Sequence, residues 1–215
     1  VLREEGCHVW VGDSPGYEST ERALEKSGML EVIRKLDLSV ATFEGKVVKT
    51  ASGLSPYRQF VFGEDPHGYD AVINLPKLKT HAMMGLTAGV KNTFGFVPRF
   101  DKAKWHLRCG TDVMLFAAVL ADIHATVAPA LTVLDGILGM EGDGPSSGRP
   151  RQFGLVAVSK SGFALDLFLE EALPLELLDG PRRAEGRASL AIDVGTGARR
   201  GDGLAGPPHR RHHPF

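Results

Sequence analysis

Cys7-His8-Val9-Trp10-Val11-Gly12-Asp13-Ser14-Pro15-Gly16, followed at residue 38 by Leu38-Ser39-Val40-Ala41-Thr42-Phe43, decides the fold class. Residues 7–12 predict a strand, and Gly12 to Gly16 is a turn cluster. Ser19 has the chemistry of an N-cap, and Glu21 suits the first turn of a helix that ends near Gly28. Met29, Val32, Ile33 and Leu36 continue at helical spacing, and residues 38–43 predict the next strand. Strand, helix, strand is a βαβ unit.

Working outward, residues 46–62 predict a β excursion around a Ser-Gly-Leu-Ser-Pro turn, and residues 70–75 a strand. Thr111 can cap a helix reaching about Val127. Its apolar stripe is Val113, Phe116, Ala117, Leu120, His124 and Val127, and Pro129 lies just beyond. A short strand at 131–134 leads into a glycine-rich loop, Gly139 to Pro145. A strand at 153–159 and a helix at 163–173 follow. This alternation predicts an α/β fold: a mostly parallel sheet with flanking helices in a Rossmann-like three-layer arrangement. The start on Val1, on what reads as a helix end, suggests that an N-terminal strand is missing. Residues 1–180 form the predicted single domain. Residues 181–215 are rich in Arg, Gly, Pro and His and predict a disordered tail, in which His209, His212 and His213 could hold a stray metal ion.

The bulk numbers exclude several classes. The chain has 215 residues, 43% hydrophobic and 24% charged, ordinary values for a globular domain. A net charge of −1 gives no global field for nucleic acid or an acidic membrane. No apolar run approaches the roughly 18 residues that span a bilayer, and no leader is visible. A cytoplasmic location follows as an expectation. Cys7 and Cys109 are the two cysteines. They cannot build a tetrathiolate zinc or iron–sulfur site and read as buried free thiols.

Chemistry concentrates in Pro76-Lys77-Leu78-Lys79-Thr80-His81, then Gly85-Leu86-Thr87-Ala88-Gly89-Val90-Lys91-Asn92, then His106. The predicted strand before them ends where ligands bind in open α/β sheets. Lysine and histidine there can hold an anion, move a proton, or bind a metal or carbonyl. A solvated basic loop is the competing reading. Lys77 and Lys79 alternate along an extended segment and share a side, and Thr80 can cap a turn. Residues 86–94 can open a short helix whose start favours anions. Lys91 lies among Ala88, Gly89, Val90 and Phe94. Desolvation there would lower its pKa and make it a usable amine, unless it snorkels off the helix.

Elsewhere the signals are weaker. His106, after Lys102-Ala103-Lys104-Trp105, reads alone as a surface or half-buried histidine, and His124 as a core histidine with its hydrogen bonds met. Glu141 and Asp143 among glycines could hold a hard cation but do not match a calcium loop, so a plain turn competes. The turn at Gly12 is neither GxGxxG nor a Walker loop, although Asp13 and Ser14 can face a ligand.

Four motifs occur in order: Val-Gly-Asp-Ser-Pro-Gly, Asn-Leu-Pro-Lys-Leu-Lys-Thr-His, Gly-Val-Lys-Asn-Thr-Phe-Gly and Gly-Met-Glu-Gly-Asp-Gly-Pro-Ser-Ser-Gly-Arg-Pro. Together they resemble the domain-of-unknown-function 362 family over roughly residues 1–175. Many members carry a ferredoxin-like iron–sulfur segment. The resemblance therefore implies a redox setting and an iron–sulfur redox partner, while this chain lacks the cysteines for a cluster of its own.

The stretch from His81 to Lys91 is also similar, more distantly, to the nickel-dependent lactate racemase family. That resemblance implies a lysine-anchored organic cofactor on Lys91, a metal ligand in His106 and an acid/base in His81. Asp13-Ser14-Pro15 stands where that family has a second acid/base histidine, so two-base racemisation loses its partner. The sequence therefore points to an enzyme-like α/β domain. His81 and Lys91 are the candidate catalytic residues. Lys77, Lys79, Thr80, Lys91, Asn92, Asp13 and Ser14 are the candidates for holding an acidic small molecule or phosphate-bearing cofactor. Proton or hydride transfer next to a carboxylate is the expected chemistry. A non-catalytic accessory domain and a truncated inactive member are the alternatives. Homo-oligomerisation fits the class without any residue demanding it.

Overall fold

The computed structural model describes residues 1–173. The predicted tail and its histidines lie outside the described residues. The βαβ unit forms as β1 (Trp10–Val11), α1 (Thr20–Lys26), α2 (Met29–Lys35) and β2 (Ser39–Val40), with β1 and β2 parallel. The Ser19 side chain caps α1 by accepting the Arg22 N–H, which satisfies an otherwise orphan donor. Gly28, in the left-handed region, separates the two helices. The unit packs through Leu24, Leu30 and Ile33, while Met29, Val32 and Leu36 of the expected stripe are exposed. The buried side of α2 is thus narrower than the apolar spacing suggested.

The β excursion is an antiparallel pair, β3 (Val47–Thr50) and β4 (Gln59–Phe62). Next come β5 (Ile73–Asn74), β6 (Lys77–His81), β7 (Gly85–Thr87), α3 (Gly89–Asn92) and a 3-10 turn (Thr93–Phe96). Then follow α4 (Arg99–Cys109), α5 (Val113–Val127), β8 (Leu131–Glu141), β9 (Arg149–Ser159) and α6 (Gly162–Ala172). β5 and β6 both run parallel to β8, pairing Ile73 with Leu131 and Lys77 with Asp135. They form one course interrupted at Pro76, whose nitrogen has no hydrogen to give the ladder. Its carbonyl still accepts the Asp135 N–H at 2.9 Å. β7 and β9 add antiparallel at the two edges. The sheet is therefore parallel along its middle and antiparallel at its margins, a mixed α/β arrangement.

Two expectations change here. The basic loop after residue 75 is a strand and hairpin, and the glycine-rich loop begins only after β8 has run through Glu141. Gly136 is buried and Gly139 approaches Leu78 and Phe153 too closely for a side chain, so these glycines permit tight packing along the strand.

Leu78, Leu134, Leu165 and Leu169 pack one sheet face beneath α6. On the other face Ile73, Val156 and Val158 stay exposed. Helix cover over these three positions is not seen among the described residues, and the fold is mixed α/β. A second cluster joins Phe60 and Phe62 of β4 to Phe94, Trp105, Phe116 and Ile123. Cys109 is buried as expected, whereas Cys7 is exposed, and both are free.

Candidate functional site

Three elements converge on one cationic cluster. β6 supplies Lys79 and His81, two residues apart and so on one side of the strand. The hairpin behind it fixes the His81 ring, whose Nδ1 accepts the backbone N–H groups of Met83 and Met84, both at 3.2 Å. An imidazole nitrogen that accepts carries no proton, so neutral His81 is protonated at Nε2.

α3 supplies Lys91 and is short, so its position depends on tertiary contacts. The Asp166 carboxylate on α6 accepts the N–H groups of Gly89 at 2.6 Å and Val90 at 2.9 Å. Burial pushes that carboxyl up to about 6, against the lowering effect of its two N–H donors. Asn74 donates to the Gly89 carbonyl at 2.8 Å and accepts from the Asn92 amide at 2.8 Å. Held this way, Lys91 brings its Nζ to 5.1 Å from the Phe94 ring centre and 5.6 Å from that of Phe116.

α4 supplies Lys102 and His106, one helical turn apart. The His106 ring lies 4.5 Å from Phe116 and 6.0 Å from Phe94, centre to centre, and so shares both rings with Lys91. Lys102 Nζ donates to the Ser14 carbonyl oxygen, and the buried Ser14 hydroxyl accepts the Arg99 N–H at 2.8 Å. Asp13 lies against Gly95, where a side chain would strike its carboxylate. The first βα turn is thus tied to α4.

Cations dominate the electrostatics. Burial, then Lys91, His106 and Lys79, push the His81 imidazole down to about 3. Burial, then Lys79 and Lys102, push the Lys91 amine down to about 8. Burial and Lys91 lower His106. Burial lowers Lys102 against the opposing pull of Asp13. Among the described residues, neither Lys79 nor Lys91 has a carboxylate within ion-pair distance.

The structure therefore brings together His81, Lys91, His106 and Lys79. It does not bring Lys77 to them: that ammonium pairs with Asp135 at 2.7 Å, both side chains about half exposed. Thr80 faces elsewhere and donates to the Gly142 carbonyl at 2.8 Å, anchoring the glycine loop. Asn92 is engaged with Asn74. Glu141 is paired with Arg151 and Arg149. His124 is a core residue, its Nδ1 3.3 Å from the Thr93 hydroxyl, and burial pushes it down to about 4. A separate open cavity of about 460 Å³ lies beside Glu44, Lys46, Arg99 and Lys104 and includes none of the cluster.

Sequence reasoning missed Lys102, Phe116 as a wall of the site, and Asp166. The i, i+4 spacing of Lys102 and His106 could have revealed the first. Nothing local marks Asp166, which acts 77 residues from Gly89.

No group of three or more His, Cys, Asp or Glu side chains suited to a metal ion occurs among the described residues. Lysines crowding the two imidazoles disfavour a bare cation and favour an anion. The residues present therefore do not fit a metal held by protein donors alone.

The fold and this cluster place the chain among α/β proteins with a basic Lys/His site. The chain belongs to the family described as Domain of unknown function (DUF362), which it matches over residues 1–169. It is 39% identical over 176 residues to Thylakoid-associated protein sll1697 of Synechocystis sp. (strain PCC 6803). The match covers 82% of this chain and 54% of the relative, so the chain spans about half the length of that protein. No solved structure matches. No helix among the described residues is long and apolar enough to cross a membrane.

Proposed function

We propose that this domain binds a small anionic molecule, a carboxylate or a phosphate ester, between Lys79, Lys91 and Lys102, with His81 and His106 beside it. The observation that carries the reading is the gathering of like charges, with Lys79 and Lys91 lacking any carboxylate partner among the described residues. Partly burying ammonium groups side by side costs free energy. A ligand anion would offset that cost and raise the pKa of every basic group it touches.

Proton transfer next to the bound anion is the chemistry this set supports. Lys91, pushed down to about 8, is the group placed nearest neutrality and so the better general base. His81, pushed down to about 3, is a neutral donor through Nε2. This reverses the expected assignment of acid/base work to His81. Two-base racemisation is no part of the reading, because Ser14 is engaged with Arg99 and Lys102. The two cysteines of these 215 residues are too few for a tetrathiolate iron–sulfur cluster. The relative's name also suggests work at a membrane surface as the rival to a cytoplasmic location, and fractionation of the native host separates the two.

Calorimetric titration with phosphate and with oxalate tests the central point. Binding that weakens with salt, and that falls at least tenfold in Lys79→Met, supports it. Equal heats in the parent protein and in Lys79→Met would remove it.

A further inference from the structure

We propose that Lys91 is a covalent residue: its Nζ forms an imine with the carbonyl carbon of a small aldehyde or ketone that also carries a carboxylate or phosphate. The proposal rests on the anion-site reading and deepens it by naming the substrate class.

A pure anion clamp is best built from groups that stay fully charged, and Lys91 is poorly placed for that. Its Nζ lies near two phenylalanine rings, in partial burial, with Lys79 and Lys102 close enough to repel its proton. Apolar surroundings and a neighbouring cation are the two devices that turn a lysine into a nucleophile. The remaining lysines of known partnership behave differently. Lys26, Lys49, Lys77 and Lys104 each have a carboxylate partner. Lys91 is also held in place, because its helix is fixed by Asp166 at the start and by Asn74 through Asn92. A fixed amine reacts with a bound carbonyl as an intramolecular partner.

The other groups then divide the work. Lys79 and Lys102 hold the anionic end of the substrate. The Nζ lone pair of Lys91 attacks the carbonyl carbon. The carbonyl oxygen takes up a proton, and nitrogen loses one, to give the carbinolamine. Its hydroxyl takes up a second proton and leaves as water, while the nitrogen lone pair forms the C=N bond and the nitrogen gives up its remaining proton. His81, protonated at Nε2, and His106 are the imidazoles beside this exchange. No oxidant or reductant enters, and the products are imine and water.

Reductive trapping on the whole chain tests this. The protein is incubated separately with glyoxylate, glycolaldehyde phosphate and the neutral propanal, then reduced with sodium borohydride and mapped by mass spectrometry. The proposal expects Lys91 to be labelled at least about tenfold faster than Lys77 by the two anionic aldehydes. Propanal should show no such preference, and phosphate should compete. Lys91→Arg should lose the adduct at this site. Labelling of Lys91 no faster than of exposed lysines overturns the imine. If phosphate still binds in that case, the anion-site reading survives alone. If phosphate does not bind either, both fall.

Discussion

α5 carries two partly hidden charge systems that are built in opposite ways. At one point it presents Asp122, fully buried, to the loop after β3. That carboxylate accepts from the backbone and hydroxyl of Ser52, both at 2.6 Å, and of Ser55 at 2.9 and 2.7 Å, and from Gly53 N–H at 3.2 Å. Burial alone would raise its pKa, but these donors outweigh it and hold the carboxyl below its usual value. At the other point the same helix presents Phe116 to Lys91 and His106. There cations crowd one another, and among the described residues Lys79 and Lys91 have no carboxylate partner, Asp13 acting on Lys102 alone. A charge that serves the fold is saturated with partners. Lys79 and Lys91 are left without a carboxylate among the described residues, in a cluster drawn from the successive elements β6, α3 and α4, and this is the contrast on which the proposed anion site rests.

The largest expected effect lies on the saturated side. Asp122→Ala leaves buried donors of Ser52, Gly53 and Ser55 without an acceptor. It should cost about 3 kcal/mol or more in urea unfolding, while the parent protein's phosphate affinity is retained wherever the variant is folded. Loss of stability below 1 kcal/mol would erase the contrast between the two regions.

Lys91→Met should act in the opposite direction. Between about 8 and the usual lysine value of 10.5, the unfolded chain keeps a proton that the folded chain has released. Parent stability attributable to this group therefore rises as pH climbs through that window, by on the order of 3 kcal/mol in total. In Lys91→Met that rise should vanish, and stability at pH 7 should be equal to or above that of the parent. Denaturant melts at pH 7 and pH 10 measure both. The smallest effect belongs to Lys77→Ala. Its exposed pair with Asp135 is worth less than about 1 kcal/mol, and phosphate affinity should change by less than about twofold.

Much of the scaffold was legible because local signals agreed with it. Ser19 caps α1, the βαβ unit forms, and the stripe from Val113 to Val127 is a helix. The cap of α5 is Asp112, one residue beyond the expected Thr111, because the Asp112 carboxylate accepts the Leu115 N–H. α4 escaped notice because Arg99 to Cys109 buries only Trp105 and Cys109, too few apolar positions to declare a period. β8 was shortened because Gly136 and Gly139 read as loop residues, whereas the tight approach of Leu78 and Phe153 requires glycine within the strand.

The site was legible as residue types along one stretch. Its electrostatics were not, because they arise between β6, α3 and α4. The sequence pattern offered His81 as proton carrier. In the structure, burial first and then the charges of Lys91, His106 and Lys79 suppress protonation of His81, and Lys91 is left as the titrating group. Lys77 was grouped with Lys79 by alternation along the strand. Cross-strand pairing with Asp135 separates their roles, and only tertiary register could show that.

Titration of the Lys91 amine itself tests the central claim most directly. Competitive acylation across pH, read on the Lys91 peptide with and without phosphate, follows that one group. The account predicts a midpoint near 8 in the free protein, moving upward when phosphate is added. A midpoint near 10.5, unmoved by phosphate, would contradict it.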